Sequence, residues 1–514
     1  MNTPKWHLSP AHTATAERVL CAVGGMLVAV VAVSLPWELY QQTPFRGMTL
    51  TKLAGSAAIP VAVALTFLRR ARAIPKTSLE APIVLFALMC AVSIAFSLDP
   101  AVSARQFISY VTYLAFLGAM VVLVRDATSA RFHAALYTLS ASGMAALTLL
   151  CAAGAAWPMR WGTASWAVQR LILEYRDGVA MRMTAASGDF NLAALELLVA
   201  FAAALYLFYG TKLRFITRLG LHALQIVLFA AIVVTMSRSG ILIAAALCVP
   251  LALATVHSRA RWWPAGLVLL AILVGVAVWQ HDFVSILVDR ARGGIVRDDG
   301  SVRGRWQVFQ IGFALLPEYW LKGCGLGAVD AAMSRSPYAD QAVMTLHSMP
   351  FKIVLELGVV GLAAYLWIWA AAAYQAFRRL VRDSDAKTRG LGAAFLAMLA
   401  ACFLLTAIQP FPALSLYPFV LGLGLGPIAA RLRRESGEKE PVPARRGLAG
   451  LVAVAVSAAV IAPNIANYQR SAARVERFGD ALSEGIEAES VGDWASAAKA
   501  YALAGQYAQP IADF

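Results

Sequence analysis

Four polar stretches could do chemistry in a chain that is otherwise mostly apolar. Thr235-Met236-Ser237-Arg238-Ser239-Gly240 sets an arginine in a three-residue turn between two apolar runs. A cation at that depth is costly in lipid and tends to be functional, although it can also snorkel to headgroups. Ser301 to Gln307 sets Arg303 and Arg305 beside Trp306, ahead of the apolar stretch Val308 to Leu316, which suggests an amphipathic helix along an interface. Thr345-Leu346-His347-Ser348-Met349-Pro350 leads into Lys352 and Glu356, which at i and i+4 could simply neutralise one another. Ser187-Gly188-Asp189-Phe190-Asn191 has the small polar residues of a helix start, so a capping role competes with a functional one. Guanidinium forks match phosphate oxygens, and a histidine titrating near 6.5 can accept a proton at neutral pH.

The elements that must position these groups are transmembrane helices. Sixty per cent of the 514 residues are hydrophobic and 14% are charged, against about 25% charged in a soluble domain. Apolar runs of roughly 17–22 residues match the length needed to cross about 30 Å of hydrocarbon. Thirteen spans are expected: 19–37, 53–68, 81–97, 107–124, 135–154, 190–209, 220–236, 240–256, 262–280, 350–376, 391–408, 415–430 and 447–463. The first follows a polar head with Lys5 and Arg18 and is long enough to stay as an anchor rather than a cleaved signal.

The net charge of +15 is sorted by side. One set of loops, with the N-terminus, holds 24 Lys and Arg, whereas the four short loops opposite (39–52, 98–106, 237–239 and 409–414) hold four. The positive-inside rule then puts the N-terminus in the cytoplasm and the tail after the thirteenth span outside. That placement argues against nucleic acid as the partner of the basic charge. Two longer outer loops run against the bias. Segment 155–189 carries Arg160, Arg170, Arg176 and Arg182, and segment 281–348 carries seven Lys and Arg. Such loops suit an anionic headgroup, although the chain uses 35 Arg against 9 Lys everywhere.

Six cysteines show no CxxC or zinc-type spacing, so no metal site is expected. Residues 431–446 read as a cytoplasmic linker with a Pro-x-Pro stop. The tail 466–514 reads as periplasmic and helical with a break at Gly492-Asp493. Its GDWASAAKAYALA stretch looks like one helix of a tetratricopeptide repeat, too few copies for a solenoid. Gly323-Cys324-Gly325-Leu326-Gly327 neither follows a strand nor opens a helix, which excludes a dinucleotide or P-loop site.

Taken in order, five features resemble the O-antigen ligase and O-antigen polymerase superfamily over about 185–365. These are the GDFN entrance, the SRSG turn, Arg303 to Trp306, Pro317 with GCGLG, and a histidine leading into LELGVVG. The resemblance implies an all-α, GT-C-like bundle of about 12–13 transmembrane helices (1–465) whose long periplasmic loop, 281–348, contains short helices. It implies a multi-pass protein of the bacterial inner membrane that moves glycan from undecaprenyl pyrophosphate to an acceptor hydroxyl without metal or cofactor. Carried over residue by residue, Arg238 with Arg303 or Arg305 would hold the pyrophosphate, and His347 would act on the acceptor hydroxyl. Arg182, Asp189, Asn191 and Glu356 are secondary candidates, and Asp189, Glu174 and Asp177 are rival bases. Here Ser348 and Met349 follow the histidine, where asparagine commonly does in the family. The acceptor could be lipid A-core, a growing glycan (a polymerase) or a protein hydroxyl (a protein O-oligosaccharyltransferase). A lipid-linked sugar flippase is the alternative of another class. It should show inverted repeats and midplane polar groups, whereas here the polar candidates gather at one face.

Overall fold

The computed structural model describes residues 10–40, 49–68, 78–156, 172–174, 181–183, 190–208, 215–235, 237, 239–244, 246–247, 300–337, 346, 348–382, 386–408, 415–435, 452, 454–459, 484, 487–488 and 493–508. The apolar runs become α1 (Pro10–Ser34), α2 (Leu50–Leu68), α3 (Glu80–Ser93), α4 (Pro100–Leu123) and α5 (Ala127–Ala156). They continue in α6 (Phe190–Phe208), α7 (Phe215–Val234), α10 (Met349–Arg382), α11 (Ala386–Ile408) and α12 (Leu416–Glu435). Two helices, α8 (Gly300–Tyr319) and α9 (Val329–Ser334), lie in the long loop, and α13 (Trp494–Ala508) lies in the tail. Ten of the thirteen expected spans therefore coincide with described helices. The runs 240–256 and 447–463 are described in part, and 262–280 lies outside the described residues.

Among the described residues, five stretches are long and apolar enough to cross a membrane: His12–Trp37, Leu50–Leu68, Pro100–Leu123, Met349–Arg382 and Gly390–Ala407. The fold is an all-α polytopic membrane bundle with one addition in the loop after α5. There β1 (Ile172–Glu174) and β2 (Met181–Met183) form a short antiparallel ribbon that pairs Leu173 with Arg182. In lipid the backbone must satisfy its own hydrogen bonds, so apolar runs fold as helices. Polar ends mark where the helices start. Asp99 accepts the Val102 amide at 3.0 Å, with Pro100 opening α4. In the tail, the Asp493 carboxylate accepts the Ser496 amide at 3.1 Å and caps α13, at the break expected beside Gly492. Within the bundle α10 packs on α3 and α11, α6 on α5, α7 and α11, and α4 on α2 and α12.

The described residues form two apolar clusters. The larger fills the bundle; the smaller joins Val308, Ile311, Leu315 and Tyr319 of α8 to Cys324, Ala328, Leu346 and Leu355. The first arm of α10 serves both. Met349, Ile353 and Leu357, spaced by four, belong to the bundle cluster, while Leu355 and the half-buried Phe351 face the loop cluster.

That arm ends at a break. Gly358 has φ 71° and ψ −176°, a conformation open essentially to glycine alone. The carbonyls and amides released there are taken up by the loop after α8. The Cys324 amide donates to the Leu355 carbonyl at 2.8 Å and the Gly325 amide to the Glu356 carbonyl at 3.0 Å. In the other direction the Val359 amide donates to the Trp320 carbonyl at 2.7 Å. The contact is so close that a Cβ on Gly323 would lie 2.1 Å from the Glu356 carbonyl oxygen, and one on Gly358 2.1 Å from that of Leu321. Glycine in the GCGLG run is thus a demand of backbone approach.

Gly358→Ala and Gly323→Ala should each cost about 2–4 kcal/mol, whereas Gly25→Ala, whose Cβ would meet nothing within 4 Å, should be neutral. Thermal unfolding in detergent measures this. Equal melting of all three variants would contradict the tight junction.

Candidate functional site

The two motifs nearest the middle of the chain are joined directly. Asn191, in the first turn of α6, is buried, and its Oδ1 accepts a hydrogen bond from Ser237 Oγ at 2.8 Å. Ser237 also accepts the Gly240 amide on its Oγ at 3.3 Å and the Ile241 amide on its carbonyl at 2.9 Å, which starts the helical stretch 239–244. On its other side the Thr235 hydroxyl accepts the Ser237 amide at 3.3 Å. The helical start at 239–244 runs hard against α6, where a Cβ on Gly240 would meet that of Ala194 at 2.8 Å. Asn191 therefore works as a tie between segments 46 residues apart rather than only as a helix start. Arg238 and Asp189, adjacent to these residues in sequence, lie outside the described residues, as does Asp177.

The second region gathers α8, the GCGLG loop and the start of α10. Arg303 and Arg305 lie in the first turns of α8, whose backbone is described there while their side chains are not. One face of α8 is buried in the loop cluster through Val308, Ile311 and Leu315, and Trp306 is exposed. Phe309 and Phe313 stack on Phe351 with ring centroids 5.6 and 4.9 Å apart, which ties α8 to the first turn of α10. His347 lies outside the described residues; its neighbours Leu346 and Ser348 are both buried. The Ser348 carbonyl accepts the Lys352 amide at 2.9 Å, so the histidine stretch leads straight into α10. Arg182 is placed on β2 and Glu174 on β1.

Glu356 is 1% exposed, and its Oε1 is 3.6 Å from the Lys352 ammonium. The Gly327 amide also donates to the carboxylate. Among the described residues Oε1 accepts no hydrogen bond, so the ammonium is its nearest compensation. The carboxylate does more than neutralise its lysine, because the Gly327 amide that it accepts ties the GCGLG loop to the first arm of α10. The loop is further held by the α3–α4 connection. Ser103 Oγ donates to the Leu326 carbonyl at 2.7 Å, and the Leu98 amide donates to the Cys324 carbonyl at 2.9 Å. Burial pushes the Cys324 thiol up to about 12, so it stays neutral and is a packing residue rather than a nucleophile.

Sequence reading passed over two features. Glu196 is buried in α6 beside Tyr137, whose hydroxyl donates to the Glu196 carbonyl at 3.0 Å. A lone acid inside an apolar helix was the available signal. The other is a cavity between α3, α4, α10 and α12, lined by residues such as Phe86, Tyr110, Met349, Trp369 and Tyr417. Its residues are scattered over the sequence and carry no motif.

Bundle and loop cluster together define a multi-pass membrane protein with a helical cap over one end of α10. Residues 223–366 match the family model described as O-antigen ligase. The match runs from α7 through the Ser237 turn, α8 and the GCGLG loop to the break in α10 and beyond. The matched segment, 144 of the 514 residues, is what this chain shares with that family. No curated protein matches the chain.

Two outcomes follow for the ties. In a double-mutant cycle, Asn191→Ala and Ser237→Ala should show a coupling of about 0.6–1.5 kcal/mol in unfolding; strict additivity would mean that the bond contributes nothing. Cys324 should resist iodoacetamide at pH 8 in the folded protein and react on denaturation. A raised thiol pKa also means that its stabilising effect is full below about pH 8.5 and is lost as pH climbs toward 12.

Proposed function

We propose that the protein transfers glycan from undecaprenyl pyrophosphate to an acceptor hydroxyl at the periplasmic face of the inner membrane, with inversion and without a metal. One observation carries the reading. A single family match, 223–366, spans both the Arg238 turn and the His347 loop, and Ser237 beside Arg238 is held by Asn191.

In the proposed step the acceptor oxygen attacks the anomeric carbon while the bond from that carbon to the phosphate oxygen breaks. The leaving pyrophosphate takes the electron pair. Arg238, with Arg303 or Arg305, stabilises the charge that develops there, as fixed cations do most strongly where water is excluded. His347 takes the acceptor's proton. A single displacement inverts the anomeric centre. Lipid A-core, a growing glycan or a protein hydroxyl fits this chemistry as the acceptor.

The test is transfer from an undecaprenyl-pyrophosphate glycan in proteoliposomes containing EDTA. His347→Ala and Arg238→Ala should each lower kcat by about 10²–10⁴-fold, with unchanged expression and melting. Full activity in both variants would refute the site. Movement of the lipid across the bilayer with no transfer would make the protein a flippase.

A further inference from the structure

α8 buries one side in the loop cluster and leaves the other uncovered. On the uncovered side Trp306, Phe313 and Trp320 recur every seven residues and are 59%, 55% and 49% exposed. Trp320 follows the last residue of the helix, yet its amide still donates to the Leu316 carbonyl at 2.8 Å, which keeps its helical placement. Seven residues fall short of two full turns by no more than about 20° and advance a helix by about 10.5 Å. The three residues therefore form one stripe roughly 21 Å long. Gln310 and Pro317 are exposed between them on the same side, and Gln307 and Glu318 are exposed along its border. A Cβ on Gly312 would lie 2.4 Å from the Phe351 ring and 3.2 Å from the Leu346 side chain. The helix is thus pressed against the histidine stretch at the middle of the stripe. Arg303 and Arg305 stand at the head of the same helix, in its first turns.

We infer that this stripe is a track for the glycan of the lipid-linked donor, on which successive sugars stack as the chain leaves the pyrophosphate. The inference rests on the transfer reading above. A glycan needs two kinds of group, and the stripe has both. Each aromatic face carries the negative side of a quadrupole, and the C–H bonds on a sugar face, polarised by neighbouring oxygens, are its positive complement. The Gln307 and Gln310 amides and the Glu318 carboxylate offer donors and acceptors to hydroxyls beside the rings. A phospholipid surface fits less well. Helices that lie in such a surface turn an unbroken apolar side to lipid and a polar side to water. Here the side opposite the stripe is buried in protein, and the stripe itself mixes an amide and a bordering carboxylate with its rings. α8 has 20 residues, yet it is not among the described stretches apolar enough to cross a membrane. Direction favours the donor glycan over the acceptor. The proposed pyrophosphate ligands Arg303 and Arg305 come just before Trp306, and in the donor the first sugar is bonded directly to the pyrophosphate. A glycan held at that head extends along Trp306, Phe313 and Trp320 in turn, and the length of the stripe suits several sugars rather than one.

Two measurements on the full-length protein test this. In the kinetic arm, transfer is followed in proteoliposomes from two donors: the undecaprenyl-pyrophosphate glycan extracted from the producing bacterium, and the same lipid carrying only its first sugar. Trp320→Ala should raise the ratio of KM for the full glycan to KM for the single sugar by about three- to tenfold. A merely structural role would move both constants together, so an unchanged ratio overturns the inference while leaving the transferase intact. In the binding arm, Gln310→Cys is treated with a membrane-impermeant maleimide in nanodiscs, and modification of the peptide carrying residue 310 is read by mass spectrometry. The thiol should react readily and be protected by the free glycan released from the same lipid. Reaction in detergent but not in nanodiscs would put the stripe in lipid and overturn the inference. Reaction in nanodiscs with no protection overturns it as well. If Trp320→Ala fails to fold, the protection experiment decides. If wild type transfers from neither donor, the transfer reading fails, and protection still reports whether the stripe takes a glycan.

Discussion

An unpaired backbone amide or carbonyl buried away from water is expensive, because nothing replaces the missing partner. A helix broken at Gly358 releases several such groups at once. The junction with residues 320–325 answers that cost: the Leu355 and Glu356 carbonyls gain the Cys324 and Gly325 amides, and the Val359 amide gains the Trp320 carbonyl. Much of the loop architecture follows from this exchange. It fixes where the chain after α8 must run, and it brings Leu355 against Cys324 and α8 into one apolar cluster. It also lets α10 present two arms to the cavity instead of one straight span.

A buried carboxylate meets the same junction at a cost of its own. Taking the Glu356 charge out of water carries a desolvation penalty that the attraction of the half-buried Lys352 only partly offsets. Polar replacement of the lost hydration helps, and the Gly327 amide supplies some of it to the carboxylate. The pair is therefore better understood as fixing register than as adding stability. Backbone bonds alone could tolerate a slip of the loop along the arm. A carboxylate held both by an ammonium on its own helix and by a loop amide accepts one alignment.

The spanning helices were legible in the sequence because the bilayer imposes one length and one composition on each, so a local count of apolar residues suffices. The amphipathic run headed by Arg303 and Arg305 was legible for a similar reason and appears as α8. The break at Gly358 was not. Its glycine sits in LELGVVG, an unremarkable apolar string, and its partner loop lies more than thirty residues earlier. The glycines of GCGLG could be excluded as a nucleotide motif from their surroundings, yet their purpose depends on a carbonyl that no local pattern reveals. The Asn191–Ser237 bond is hidden in the same way, since each residue alone has an ordinary capping role. The ribbon at 172–174 and 181–183 was missed because three-residue strands carry too little alternation to register.

Candidate residues from the two halves of the matched segment hang from different supports, and that bears on how the site is held. The Ser237 turn is tied to α6, deep in the bundle cluster. The Leu346–Ser348 stretch is tied to α10 and the loop cluster. The first arm of α10 links the two, since Met349, Ile353 and Leu357 pack into the bundle while Leu355 packs into the loop cluster. The Ser237 turn and the residues Leu346 and Ser348 thus share one support, the seating of that arm. Rigid support from both sides would suit the proposed transfer, in which fixed charges do the work, because a misplacement of about 1 Å can cost a hundredfold in rate. It also explains why the arm is anchored by backbone bonds at Gly358 instead of by side chains alone. A side-chain anchor can adopt other rotamers, whereas a hydrogen-bonded backbone junction closed by glycines has little room to move.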